Sequence, residues 1–493
     1  MRRVAISAAF LDESAGRENM DVAGARAEIA RAWNGDVLSS LADLVRIPAV
    51  SAAYDPGWES AGHLRAAVDH VRAWIEAQRL PGVQCEILCL PGRSPLLYVD
   101  VPATTGATAT GSVLLYGHLD KQPAHGDWSA GLGPWLPVVR EGRLYGRGAV
   151  DDGYAAYAAT TALTALRATG GDHARTVLLL ETGEETGEES GSPDLAAYLD
   201  HLADRLGDIT LVLCLDAGGR DHERLWLTSS LRGAIMATLT VRVSGSSLHS
   251  GIAGGIVPSS FRVMRQLLDR LEDSATGRIA VPEFHAPIPA ERRAEALAAR
   301  HPGIAAQFPL LPGVRPEAED DVELILHNTW RPALSVVGAA GLPDAAEAGA
   351  VLHASTTLRL CFRIPPAVDA RAAYEALVAV LTTDVPHGAH VDVTDPMLIN
   401  GWSAPAPASW LSDALGEVGD HIFGNPCAGI GIDGGIPFME LLGRRCPDAQ
   451  FVATGALGPD SNLHVPDEWL DLRFAGQLTA AIALIVNAHA TAD

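Results

Sequence analysis

The sequence predicts an α/β protein: a mainly parallel, doubly wound sheet with helices on both faces, plus a smaller inserted α+β unit. Three observations predict it. Up to about residue 230, short apolar runs alternate with alanine-rich helical stretches. Strands apolar on both faces and separated by helices belong to a parallel sheet covered on both sides. Beyond that point the strands alternate apolar and polar residues, the pattern of a sheet with one covered face. From about residue 408 the texture of the first part returns.

Taken in order, residues 22–46 read as one helix, with Leu38, Leu41, Leu44 and Val45 at helical spacing. The runs LLYVDV (96–101), SVLLYG (112–117), TVLLLE (176–181) and ITLVLCLD (209–216) read as buried strands. Helical stretches at 61–78, 154–168 and 194–205 separate or flank them. In IMATLTVRVSG (235–245), Met236, Leu239, Val241 and Val243 alternate with polar or small neighbours. In TTLRLCFRIP (356–365), Leu358, Leu360, Phe362 and Ile364 share one face, with Thr357, Arg359, Cys361 and Arg363 on the other. Helices are predicted at 259–273 and 369–383, and the Pro-, Ala- and Gly-rich region 282–350 reads as irregular. The domain reading is an N-terminal extension at 1–21, a discontinuous catalytic unit at 22–230 and 397–493, and an inserted lid and dimerisation unit at 231–396.

Bulk properties narrow the function. At 493 residues the chain is too long for one ordinary core, and 48% hydrophobic residues are enough to fill two. With 60 acidic against 36 basic side chains the net charge is -24, and no basic stripe stands out. Nucleic acid and anionic membranes are therefore poor partners. No apolar run is long enough to span a membrane. The six cysteines form no CxxC and read as reduced thiols of a cytoplasmic protein.

The ends of the apolar runs carry the chemistry. LLYGHLDKQP ends in His118 and Asp120, LYGRGAVDDGY brings Asp151 and Asp152, and LVLCLDAGG ends in Asp216. TVLLLETGEETGEES runs into a duplicated ETGE, with Glu184–Glu185 and Glu188–Glu189 as candidate pairs. A late loop, GALGPDSNLHVPDEWL, supplies His464. Open α/β sheets bind ligands beyond the carboxyl ends of their strands. Each feature alone has an ordinary reading: a surface histidine, a solvated acidic run, an N-cap before a helix. Their joint occurrence at strand ends points to a site. Two histidines and three carboxylates without a thiolate suit zinc first, then cobalt or manganese. Five ligands exceed what one catalytic ion needs, and fit two ions sharing a carboxylate and a water. A neighbouring carboxylate then serves as general base.

Together, GHLDKQP, GRGAVDDG, EESGSPDL, CLDAGG, SLHSG and GPDSNLHVPDE resemble the aminoacylase–carnosinase–carboxypeptidase-G family of two-zinc metallopeptidases, over about residues 36 to 490. The resemblance implies that His118, Asp151, Asp216, His464 and one glutamate bind two divalent metals, with Asp151 shared and Asp120 orienting His118. It gives His249 the role of reaching a partner subunit's site to hold the oxyanion, and Arg363 that of binding the substrate carboxylate. It also implies a homodimer formed through the inserted unit. Where relatives carry an NVIP-like turn this chain reads AVLH (350–353), and where they carry EGGSIP it reads IDGGIP (432–437), with Gly435 in place of serine. Both departures fall on expected substrate contacts.

The expected activity is cleavage of an amide bond in a dipeptide or N-acyl amino acid by metal-bridged hydroxide, with a glutamate as base. Two other readings stand beside it: an amide-forming or acyl-transfer enzyme on the same scaffold, and a non-catalytic binding protein. Counting from the strand selects Glu184 as base and Glu185 as ligand; counting back from the following helix, opened by Pro193, selects Glu188 and Glu189. The strand is the firmer reference and favours the first pair.

Overall fold

The structure, a computed structural model, describes residues 20–109, 111–186, 191–300, 303–432 and 438–492. The apolar runs form a six-stranded sheet in the order Gln84–Leu88, Leu96–Val101, Thr176–Glu181, Ser112–His118, Ile209–Cys214, Gln450–Ala453. Ser112–His118 pairs in parallel with both of its neighbours, and Gln450–Ala453 runs parallel to Ile209–Cys214. Leu96–Val101 pairs antiparallel on both sides and is the reversed strand.

Strand alternation divides the side chains between two cores. Leu115, Leu178, Leu180 and Leu213 pack with the helices Tyr154–Ala168 and Leu472–Ala490 on one face. Leu114, Tyr116, Leu179 and Val212 pack with the helices Leu195–His201 and Phe438–Arg445 on the other. Each fully buried leucine contributes about 1.5–3 kcal/mol, so burial on both faces fixes the register of the strands. In that register His118 pairs with Glu181, and Tyr116 with Cys214. Asp216 therefore lies two residues past the same rung that His118 does.

A second, antiparallel sheet has the order Ala333–Ala340, Ser355–Ile364, Gly233–Arg242, His390–Ile399. Leu358, Leu360, Phe362 and Ile364 are buried beneath the helices Ser260–Leu268 and Ala370–Thr382. Both helices begin at a side-chain cap: Ser259 accepts the Arg262 N–H, and Asp369 accepts the Ala372 N–H at 2.8 Å.

Two local expectations are corrected. Residues 22–46 form two helices, Val22–Trp33 and Asp36–Arg46, interrupted at Asn34–Gly35. Gly35 takes φ −125° and ψ −110°, which breaks the helix where an Asn-Gly pair favours a turn. The region 282–350 is not irregular: it holds the helices Ala290–Ala298 and Asp321–Thr329 and the strand Ala333–Ala340. The strand lies at a sheet edge and is mostly exposed, so its small and aliphatic residues show no alternation. The Asp321–Thr329 helix is defined by a cap, Asp320 accepting two backbone N–H groups, rather than by a strong apolar stripe.

Gly117, one residue before His118, leaves no room for a side chain: a Cβ would lie 2.7 Å from both the Asp152 carboxylate and the Ala155 Cβ. Gly117→Ala is expected to destabilise the protein by about 1–3 kcal/mol, read as a lower urea midpoint at unchanged slope.

Candidate metal centre

His118 closes the Ser112–His118 strand and is fully buried. Its Nδ1–H donates to the Asp120 carbonyl at 3.1 Å, and Nδ1 lies 3.4 Å from Asp120 Oδ1. This contact fixes the ring and directs Nε2 inward. Nε2 stands 3.3 Å from Asp151 Oδ1 and 3.9 Å from Asp216 Oδ1. The Asp120 carboxylate accepts the backbone N–H of Glu184 at 3.3 Å and of Glu185 at 2.9 Å, tying the acidic loop to the histidine.

Asp151 occupies the turn Ala149–Gly153, whose backbone leaves helical geometry at Asp151 and Asp152. Its second oxygen is 2.9 Å from His464 Nε2. His464 Nε2 is also 3.4 Å from Glu185 Oε2. The loop before Trp469 holds Asp460, Asn462, His464 and Asp467 at positive φ, with His464 at 61°. Asn, Asp and His adopt that conformation more often than other side chains, and His464 there meets Asp151 and Glu185.

Ligand-type atoms thus gather in three groups, each within 4.8 Å: His118, Asp151 and Asp216; Asp151, Glu185 and His464; His118, Glu184 and Glu185. The structure brings together the strand-counted pair, Glu184 and Glu185, with His118, Asp151, Asp216 and His464. Glu188, Glu189 and Gly435 lie outside the described residues. His249 is not in these groups: it is exposed, pairs with Val351, and accepts the Gly251 N–H on Nδ1 at 3.2 Å. Arg363 lies on the face of the Ser355–Ile364 strand opposite the apolar residues, between Ala333 and Ala234.

Electrostatics test whether cations fit. Asp120, Asp151, Asp152, Glu181, Glu184, Glu185 and Asp216 are all buried, and among the described residues the imidazoles in this cluster are those of His118 and His464. Burial, followed by the Asp216 charge, pushes Asp152 and Glu184 well above the usual carboxylate range. Burial also raises Glu185 to about 7, with Asp151 adding to the effect, and Asp216 to about 6. Burial lowers the basicity of His464, but hydrogen bonds to Asp151 and Glu185 outweigh it and raise the ring to about 10. For His118 as well, hydrogen bonds to Asp120 and Asp151 outweigh burial, and the ring is raised. Asp152 Oδ1 and Glu185 Oε1 are buried without a hydrogen-bond partner among the described residues. A buried acid surplus with orphaned oxygens, nitrogen and oxygen donors and no thiolate is a site suited to divalent cations.

Several supporting residues were not singled out by sequence reasoning. Gln122 donates to Glu185 Oε2 at 2.5 Å and lies in the same GHLDKQP motif. Lys121, fully buried, donates to the Leu44 and Ile47 carbonyls at 2.8 Å each, closing the C-terminus of the Asp36–Arg46 helix. Arg147 and Glu468 form a buried ion pair at 2.5 Å, and Glu468 also accepts the Gly148 N–H at 2.8 Å. That pair fastens the Asp151 turn to the His464 loop. Glu181 accepts from Tyr116 and, at 2.7 Å, from Ser192, closing the base of the acidic loop. GRGAVDDG and VPDEWL held Arg147 and Glu468 in plain view, but nothing local links them.

A parallel sheet whose strand end brings His118 to carboxylates gathered with His464 from adjoining turns and loops is the arrangement of a metal-dependent hydrolase, not of a thiolate-held structural zinc module. Residues 114–488 match peptidase family M20/M25/M40. The chain belongs to that family and is a metallopeptidase. It is 27% identical over 376 residues to the cysteinylglycine-S-conjugate dipeptidase of Corynebacterium striatum, covering 73% of this chain and 77% of the relative. It is 28% identical over 268 residues to the β-Ala-His dipeptidase of Homo sapiens, and this match spans 53% of the chain and 52% of that relative. The dipeptidase Dug1p of Saccharomyces cerevisiae shares the fold with a TM-score of 0.68 at 20% identity, covering 96% of this chain and 99% of that one. No described helix is long and apolar enough to cross a membrane.

Arg147→Met leaves Glu468 buried without its partner. It is expected to cost about 3–5 kcal/mol in chemical unfolding, far more than an exposed ion pair would.

Proposed function

We propose that the protein is a two-cation dipeptidase that hydrolyses the amide bond of a dipeptide or N-acyl amino acid. One observation carries this reading. Asp151 turns one oxygen to His118 at 3.3 Å and the other to His464 at 2.9 Å, so two ligand groups share one carboxylate. His118, Asp151 and Asp216 would hold one divalent cation, and Asp151, Glu185 and His464 the other. The donor set favours zinc, with cobalt or manganese as substitutes. When bound, the cations supply Lewis-acid polarisation of the scissile carbonyl and lower the pKa of a water.

The chain's own residues supply the rest. Glu184 is the general base: it takes the proton of the attacking water and passes it to the leaving amine. Glu184 is 9% exposed and its carboxylate receives no hydrogen bond from the described residues, which keeps it available. Asp120 orients His118 and fixes the backbone at Glu184 and Glu185. Arg363 binds the substrate carboxylate, and His249 acts in the site of a second copy, where it holds the oxyanion. The Gly251 contact occupies His249 Nδ1, and this leaves Nε2–H as a donor. The unit 231–396 serves as lid and dimer contact. Its edge strand Ala333–Ala340 exposes Val336 and Val337, which supports pairing with a second copy. The dipeptidase activities of the matched relatives support a dipeptide as the substrate class.

Glu184→Gln is expected to keep both cations while turnover of a dipeptide panel falls about 10²–10⁴-fold. Turnover at the wild-type rate would remove Glu184 from the role of base. Asp151→Asn takes the shared carboxylate from both groups. In equilibrium dialysis against Zn²⁺ it is expected to lose both equivalents, where Asp216→Asn keeps one.

A further inference from the structure

One buried phenol joins the segments that carry the cluster. Tyr154 opens the Tyr154–Ala168 helix directly after the Asp151 turn, and its side chain is fully buried. Its hydroxyl donates to the carbonyl of Leu215, the residue before Asp216. The same oxygen accepts the Ala456 N–H at 3.0 Å, in the loop that leads to His464. A phenol has one proton to donate and lone pairs to accept, and both capacities are used here on backbone groups.

The two loops it joins run unusually close together. Gly219 N–H donates to the Leu457 carbonyl at 2.8 Å, and Gly218 bridges to Leu457. A Cβ on Gly455 would lie 2.6 Å from Leu215 O and from Ala217 N, so this crossing has no slack. A phenylalanine would fill the same volume in the core. The hydroxyl is what adds a fixed distance between the Asp216 loop and the His464 loop, measured from the helix that starts beside Asp151.

We propose that Tyr154 is a positioning residue whose hydroxyl sets the spacing of the Asp216 and His464 loops, and through it the geometry of both cation groups. This rests on the two-cation reading above. Residues that orient metal ligands without touching the metal typically govern affinity by about 10–100-fold.

The test compares wild type, Tyr154→Phe and 4-aminophenylalanine at position 154, each checked for folding by far-ultraviolet circular dichroism. Zn²⁺ affinity is read by competition with a chromophoric chelator, and ligand geometry by the visible spectrum of the Co²⁺-loaded protein. Tyr154→Phe is expected to bind both equivalents at least about tenfold more weakly and to shift the Co²⁺ bands. A purely structural hydroxyl would lower the unfolding midpoint but leave affinity within about twofold and the spectrum unchanged, and that result overturns the proposal. Should the phenylalanine protein not fold, the 4-amino variant carries the test. It keeps a donor for Leu215 but accepts poorly from Ala456, so the second equivalent alone is expected to weaken; wild-type affinity for both overturns the proposal. Wild-type protein that binds no Zn²⁺ would instead overturn the two-cation reading itself, and this proposal with it.

Discussion

The structure around the site depends on one constraint: a carboxylate, Asp151, shared between two histidines inside a pocket with more buried acid than buried base. Isolated charges are expensive to bury, and like charges together more so. Without cations, protons balance the pocket: the histidines are driven toward their charged form, and Asp152 and Glu184 toward their neutral form. A pocket held in that state is poised to exchange protons for metal. The acid surplus that would be a liability in an ordinary core is thus what the proposed two-cation centre would draw on to bind metal.

Holding such a pocket together requires a frame stronger than the repulsion inside it. The parallel sheet supplies it. Leucines buried on both faces fix the register, and the register places His118, Glu181 and the Asp216 loop at one height. Around that frame, backbone-directed contacts lock the loops: Lys121 on the Leu44 and Ile47 carbonyls, Glu468 on Gly148, Asp120 on Glu184 and Glu185. Each satisfies a buried polar group and positions a loop end at the same time.

Part of the candidate cluster was legible in the sequence because His118 and Asp216 sit where apolar runs stop. His118 and Asp216 could be read from those endings, Asp151 and His464 from the turn and loop motifs that carry them, and counting from the strand selected Glu184 and Glu185, which lie in the cluster. The supporting residues could not be read. Arg147 and Glu468 are 321 positions apart, and a buried ion pair leaves no local periodicity. Tyr154 looks like any helix-start aromatic until its two backbone partners are known. The helix Ala290–Ala298 and the strand Ala333–Ala340 were missed because exposed, alanine-rich elements do not display the alternation that reveals buried ones, and the short Asp321–Thr329 helix because it is marked by its Asp320 cap more than by an apolar stripe.

The shared carboxylate is tested most directly by electron paramagnetic resonance of the protein loaded with Mn²⁺. Two ions held by one carboxylate are close enough to couple. At two equivalents per chain the six-line signal of isolated Mn²⁺ is expected to give way to the spectrum of a coupled pair. Two independent six-line signals adding in proportion, with no coupling at any loading, would contradict a centre built on Asp151.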